Sequence, residues 1–313
     1  MIRHASIHAR LACLMALGLS GCMTTPPSET AATATPDEPA VFEPSDESLG
    51  FQRYYRGVEQ RLVQSGMLRT DGGETDAPFN ASQLAVNFEN IALFNEYTLS
   101  GGRFVARRSP AFLRRWEDPV NLQAHFGRSV SDAQKAQDRA VLTTYAQRLS
   151  RVTRHPVRTV NSGGNFHVFY VDRDDQLNLG DQVRGLVPGI SDQTIREMEN
   201  LSRSTFCSVY AFSETGERPV YIAAIAIIRD EHPPLLRRSC VHEEIAQGMG
   251  LPNDSPAARP TIFNDDEEFA LLTPHDELLL RMLYDDRLSV GLTPDQARPT
   301  VQRIAEEIMG GPS

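Results

Sequence analysis

The sequence predicts an α+β domain built on a mixed, twisted sheet, and three features of the chain carry that expectation. Strand-like runs gather in its middle, at Trp116–Phe126, Phe166–Val171, Phe206–Phe212 and Tyr221–Ile228. Helical patterns stand on both sides of these runs and between the first two. The last run is apolar on both faces, which places it inside the sheet.

Taken in order, the chain opens with a basic start at Arg3 and Arg10, an apolar run from Leu11 to Leu19, and Leu19-Ser20-Gly21-Cys22. So short an apolar core reads as an export signal rather than a spanning helix. The tetrapeptide resembles the lipobox of bacterial lipoproteins. That resemblance implies cleavage after residue 21, diacylglycerol on Cys22 and, with Met23 in place of Asp, sorting to the outer membrane with the domain facing the periplasm. No other stretch is long and apolar enough to span a bilayer, so this lipid is the expected membrane partner. Residues 22–46, rich in Thr, Pro, Ala, Ser and Glu, read as a disordered tether. Residues 47–313 read as one domain with a helical N-terminal part over 47–110.

Within that domain, Leu84, Phe88, Ile91 and Phe94 share a helical face, with Asn80 or Ser82 as cap and Gly101-Gly102 as stop. Val120, Leu122, Ala124 and Phe126 alternate as in a strand, and Ser131 caps a helix carrying Val141, Leu142, Tyr145 and Leu149. After Pro233-Pro234 a helix runs from Leu235 to Met249 and stops at Gly250. Thr273-Pro274 and Thr293-Pro294 each open a further helix with a cap and a first-turn proline.

Lys and Arg number 31 against 41 Asp and Glu, a net charge of −10. Loss of the signal would remove two arginines and no acid, so nucleic acid and anionic headgroups are poor partners and no nucleic acid is expected. Cys13 leaves with the signal and Cys22 takes the lipid, so only Cys207 and Cys240 remain. In an oxidising compartment they are a disulfide candidate, the alternative being two buried thiols, and their separation rules out a CxxC zinc site.

His242-Glu243 invites a zinc-peptidase reading, but the position one turn on is Ala246, which has no donor atom. Moving the frame by one residue gives Glu243-Glu244-Ile245-Ala246-Gln247-Gly248-Met249-Gly250-Leu251-Pro252-Asn253-Asp254. This run resembles the metzincin pattern H-E-x-x-H-x-x-G-L-x-H-D, with Glu244 at the general base and Glu243, Gln247 and Asn253 at the three metal-ligand positions. Leu272-Thr273-Pro274-His275-Asp276 with Leu283-Tyr284 resembles the closing helix of matrixins. Pro260-Thr261-Ile262-Phe263-Asn264 stands where that superfamily has its methionine turn, with Phe263 in place of the methionine. From Trp116 onward the chain resembles a family of bacterial lipoproteins known as domain of unknown function 2927. These resemblances imply a metzincin-like, zincin-type domain, with the motif on its second helix and further helices at the C-terminus.

One carboxylate and two amides form a hard, weak donor set, better suited to calcium or magnesium than to zinc, and too few for either. No resident zinc or calcium is expected, and Glu244 would then lack the water it should activate. The resemblance therefore implies a pseudopeptidase that acts as a binding module for an envelope protein, a peptide or a cell-wall fragment, or as a structural lipoprotein whose fold is merely inherited. The alternative is a hydrolase using Glu244 with an unusual metal or with Glu243. Successive residues on a helix diverge by about 100°, which speaks against such a pair. Asn264-Asp265-Asp266-Glu267-Glu268 reads as a solvated acidic loop and Asn161–Asn165 as a turn. His167 and His275 are read as ordinary structural histidines. Ser208 and Ser239 lack a nucleophile elbow.

Overall fold

The computed structural model describes residues 42–100, 103–213, 219–264 and 266–311. The segments expected to be the signal, with Cys22, and all but the end of the expected tether lie outside the described residues, as do Gly101 and Gly102. Phe42 to Ser45, assigned to the tether from sequence, lie against the domain. The Phe42 ring sits under the Arg128 guanidinium, and Ser45 N–H donates to Asp174 at 2.8 Å.

Helix α1, Asp46–Gln64, is capped by Ser45 and carries Asp46 and Glu47 in its first turn, where carboxylates offset the helix dipole. It packs Tyr55 and Val58 against Leu236. Helix α2, Ala81–Ala92, starts at Asn80 with a full capping box to Gln83. It stops well before Gly101, because Phe94–Ser100 (β1) pairs antiparallel with Arg103–Pro110 (β2). Residues 47–110, read from sequence as a helical part, thus contain α1, α2 and, beyond them, a hairpin. Phe94 continues the helical spacing, but a paired partner strand outweighs local periodicity.

The main sheet has five strands: β3 Val120–Phe126, β4 Val157–Val160, β5 Phe166–Val171, β6 Cys207–Ser213 and β7 Tyr221–Arg229. Their order is β4-β3-β5-β7-β6, with β6 antiparallel to β7 and every other pair parallel. The mixed sheet and the interior position of β7 agree with the sequence. Alternate residues of the strands divide the core in two. Leu122, Phe166, Val168, Ala226 and Ile228 pack with helix α3, Asp132–Thr153, and helix α7, Pro234–Gly250. On the other face Phe169, Val171, Ile225 and Ile227 meet Leu179, Val183 and Met198. Those last residues lie in and beside three short helices, α4 Arg173–Gln176, α5 Gly180–Leu186 and α6 Asp192–Glu199. Helices α8, Pro274–Leu283, and α9, Pro294–Ile308, complete the first layer behind the capping boxes of Thr273 and Thr293.

The acidic stretch 264–268 is not simply solvated. Glu268 pairs with Arg69 at 2.9 Å and with Arg259 at 2.6 Å, and Arg69 N–H donates to the Glu268 carbonyl. No described helix is long and apolar enough to cross a membrane.

Candidate functional site

Helix α7 sits beside β5 and β6 so closely that a Cβ on Gly248 would fall 2.5 Å from the Phe166 ring and 3.2 Å from Val209. Its C-terminal turn is held by two long-range donors. The Trp116 indole N–H donates to the Gly248 carbonyl at 2.8 Å, and the Tyr284 hydroxyl to that of Met249 at 3.0 Å. Gly250 then turns the chain at φ +126°, with the Arg114 carbonyl 2.4 Å from where a Cβ would stand, so only glycine fits. Cys207 of β6 is joined to Cys240 of α7 by a disulfide, which ties the edge strand to the motif helix.

One turn beyond Cys240 lie the two glutamates. Glu244 is buried and Glu243 half-buried. A carboxylate oxygen of each lies within 4.8 Å of the other and of Cys207 Sγ. The 100° divergence expected from helix geometry applies to their Cβ atoms; two flexible methylenes let the carboxylates converge over the β6 side of the helix. Cys207 is bonded to Cys240, so its sulfur is no thiolate and adds no metal-ligand charge. Tyr210, also on β6, has its hydroxyl pushed up to about 12, chiefly by burial, with the negative charges of Glu197 and Glu244 adding to it against a hydrogen bond from Ser208.

The two amides of the motif have partners of their own. Gln247 Nε2 donates to Asp254 Oδ1 at 3.2 Å. Asn253, 2 % exposed, donates its side-chain amide to the Asn90 carbonyl at 2.7 Å and its backbone N–H to the Ile91 carbonyl at 3.2 Å. These are carbonyls of the last turn of α2, which a helix leaves without intrahelical donors, so Asn253 closes α2 from outside. The sequence placed Asn253 beside Gln247 as a ligand position and held no signal for its partner on α2.

His242 faces away from the glutamates. Its ring stacks on Tyr145 of α3 at 4.1 Å, and its Nδ1 accepts from Leu272 N–H at 3.1 Å. Burial drives its pKa down to about 3, with the charges of Arg148 and Arg238 adding, so it is neutral. Below the motif, fully buried Asp276 binds the turn ahead of it. One carboxylate oxygen accepts from the Thr261 hydroxyl; the other accepts from Ile262 N–H at 3.2 Å and from Thr273 N–H at 2.9 Å. Thr273 also donates to the Pro260 carbonyl at 3.0 Å, so the cap of α8 and the 260–263 turn form one polar knot above buried Phe263. His275 and His167 are both buried: His275 Nε2 meets Asn87 at 3.1 Å, and His167 Nδ1 meets His125 Nε2 at 3.0 Å.

No curated protein and no solved structure matches this chain. The family described as Protein of unknown function (DUF2927) matches residues 81–303, from the start of α2 into α9, and so takes in the sheet, the motif helix and the polar knot. With well over half of its length covered, including every described residue of the motif, the chain belongs to that family.

Proposed function

We propose that the protein is a lipoprotein of the cell envelope, held to the outer membrane through Cys22, whose metzincin-like domain binds a peptide or cell-wall fragment without zinc chemistry. The order of elements supports the fold: sheet, motif helix on the second of the two long helices after β3, glycine turn, polar knot, closing helix. A cleft for an extended ligand is supported by β6, which among the described residues pairs on one side only and is half-buried along its length. Such an edge offers main-chain groups to an added strand.

The observation that carries this reading is the donor chemistry at the motif. Zinc needs several soft or imidazole donors turned toward one point. Here the Asn253 and Gln247 side chains are oriented by the NH2 groups they donate to the Asn90 carbonyl and to Asp254, the amide oxygens left to a metal are weak neutral donors, and the nearby sulfur is in a disulfide. Zinc does not fit this set.

The convergence of Glu243 and Glu244 favours a second reading, a hydrolase in which the pair divides acid and base roles. Metal analysis of the purified protein and a generic peptidase and glycan-hydrolysis assay, on wild type and Glu244→Ala, separate the two. The binding module predicts substoichiometric zinc and no turnover in either protein. Turnover lost in the variant would establish the hydrolase, and stoichiometric zinc would refute both the donor argument and the binding module.

A further inference from the structure

Strand β3 leads through α3 to β4 on one side, whereas β5 leads through α4, α5 and α6 to β6 and β7 on the other. Helix α3 covers one face of the sheet and α4 to α6 serve the opposite face. The chain therefore leaves the ends of two adjacent parallel strands, paired at Phe126 and Tyr170, in opposite directions. A crevice opens between strand ends at such a switch point, and it is where open sheets with parallel strands collect ligands. Here the crevice has a volume of about 370 Å³ and is lined by His125, Gly127, Arg128, Asp175, Asn178 and Gln182, among others. It is built on the α4–α6 face, across the sheet from the motif helix.

We propose that this crevice binds a small, uncharged, hydroxyl-rich molecule of roughly one sugar ring. At about 30 Å³ per water-sized group, it has room for roughly a dozen non-hydrogen atoms. Charge argues against an ion. Arg128 and Asp175 neutralise each other across the wall, Nε to Oδ1 at 2.7 Å and backbone N–H to Oδ2 at 2.6 Å. That approach depends on Gly127, where a Cβ would stand 2.5 Å from Asp175 Oδ2. The His125 ring is held against Phe169 at 4.5 Å and bonded to His167, and burial keeps its pKa low, so it faces the crevice as a neutral group. An anion entering here would approach Asp175 and, beyond it, Asp172 and Asp174; a cation would approach Arg128. What remains, beside the apolar Phe126, Phe169 and Val171, is the pair of exposed amides, Asn178 and Gln182. They lose water on ligand binding without compensation unless the ligand returns hydrogen bonds. Asn178 already donates to the Asp174 carbonyl at 3.1 Å, which fixes its orientation. Vicinal hydroxyls, each donor and acceptor, match such a lining.

The test is a titration of the full chain, followed by amide NMR, with glucose, galactose and N-acetylglucosamine, and in parallel with inorganic phosphate and putrescine. At least one sugar is expected to give saturable shifts at Gly127, Arg128, Asp175 and Asn178. Asn178→Ala with Gln182→Ala, both exposed, is expected to weaken that binding about tenfold or more while the thermal midpoint stays in place. The proposal is overturned if no sugar gives saturable shifts at these amides, if the double variant binds as tightly as wild type, or if phosphate or putrescine moves the same amides in the sugars' stead.

Discussion

Glu231 shows how one residue can set a pH dependence. It lies buried after β7, and its Oε1 accepts from the Ser48 hydroxyl at 3.0 Å and from Arg173 N–H at 2.7 Å, which joins α1 and α4 to the sheet. Burial raises its carboxyl to about 7, against the opposing pull of those hydrogen bonds. A pKa raised on folding means that the folded protein holds the proton more tightly than the unfolded chain. The associated stability is present below the unfolded value and is lost as pH climbs through 7. Glu231→Gln keeps the acceptor and removes the charge, so at pH 8.5, with that choice of pH set about 1.5 units above the transition, it should stabilise the protein by roughly 1–3 kcal/mol. Urea midpoints of both proteins at pH 6 and at the higher pH measure this; a gain equal at both would rule out the carboxylate as the cause.

At the scale of elements, the end of α2 depends on a side chain 163 positions away. Asn253→Ala leaves the half-buried Asn90 carbonyl without that donor and should lower stability by ~1–2 kcal/mol. Amide exchange should quicken first in the last turn of α2; unchanged exchange there would sink the capping role. This element also marks the limit of what the sequence revealed. Caps at Asn80, Ser131, Thr273 and Thr293 were readable because donor and acceptor lie three residues apart, and β5 and β7 because an apolar run needs no partner to be noticed. Strand β4 is four residues long and acquires meaning only from its register with β3. Helices α4 to α6 are too short for periodicity and exist to cover one face of the sheet. The motif residues were legible as a series, yet the partners that define them, Asn90 and the Cys207 side of β6, lie far off in the chain. The crevice was invisible for the same reason, being assembled from two strand ends and two short helices.

The whole molecule should be sensitive to acid through its histidines. Burial lowers the pKa of His242 to about 3 and of His167 to about 4, takes His232 well below its ordinary value, and lowers His125 and His155. Above the unfolded value of about 6.5, both states are neutral and these groups contribute no slope. As pH falls below it, the unfolded chain takes up protons that the folded one refuses, so stability declines toward the folded values, each group by at most about 1.4 kcal/mol per pH unit. His242→Gln should therefore show a shallower fall in urea midpoint between neutral pH and moderately acidic pH than wild type. Parallel curves would mean that the stacked ring on Tyr145 plays no part in the acid response.

The place of β7 has a consequence for how the molecule comes into being. It is made last of the five strands yet must enter between β5 and β6, and β6 has no other neighbour among the described residues. Until Tyr221 and the residues after it have entered the compartment where the chain folds, β6 has nothing to zip onto, and β5, paired only with β3, presents a bare apolar border to any sister chain. Maturation therefore waits on a late, long-distance closure, and fragments that stop early are expected to clump rather than settle into smaller versions of the whole.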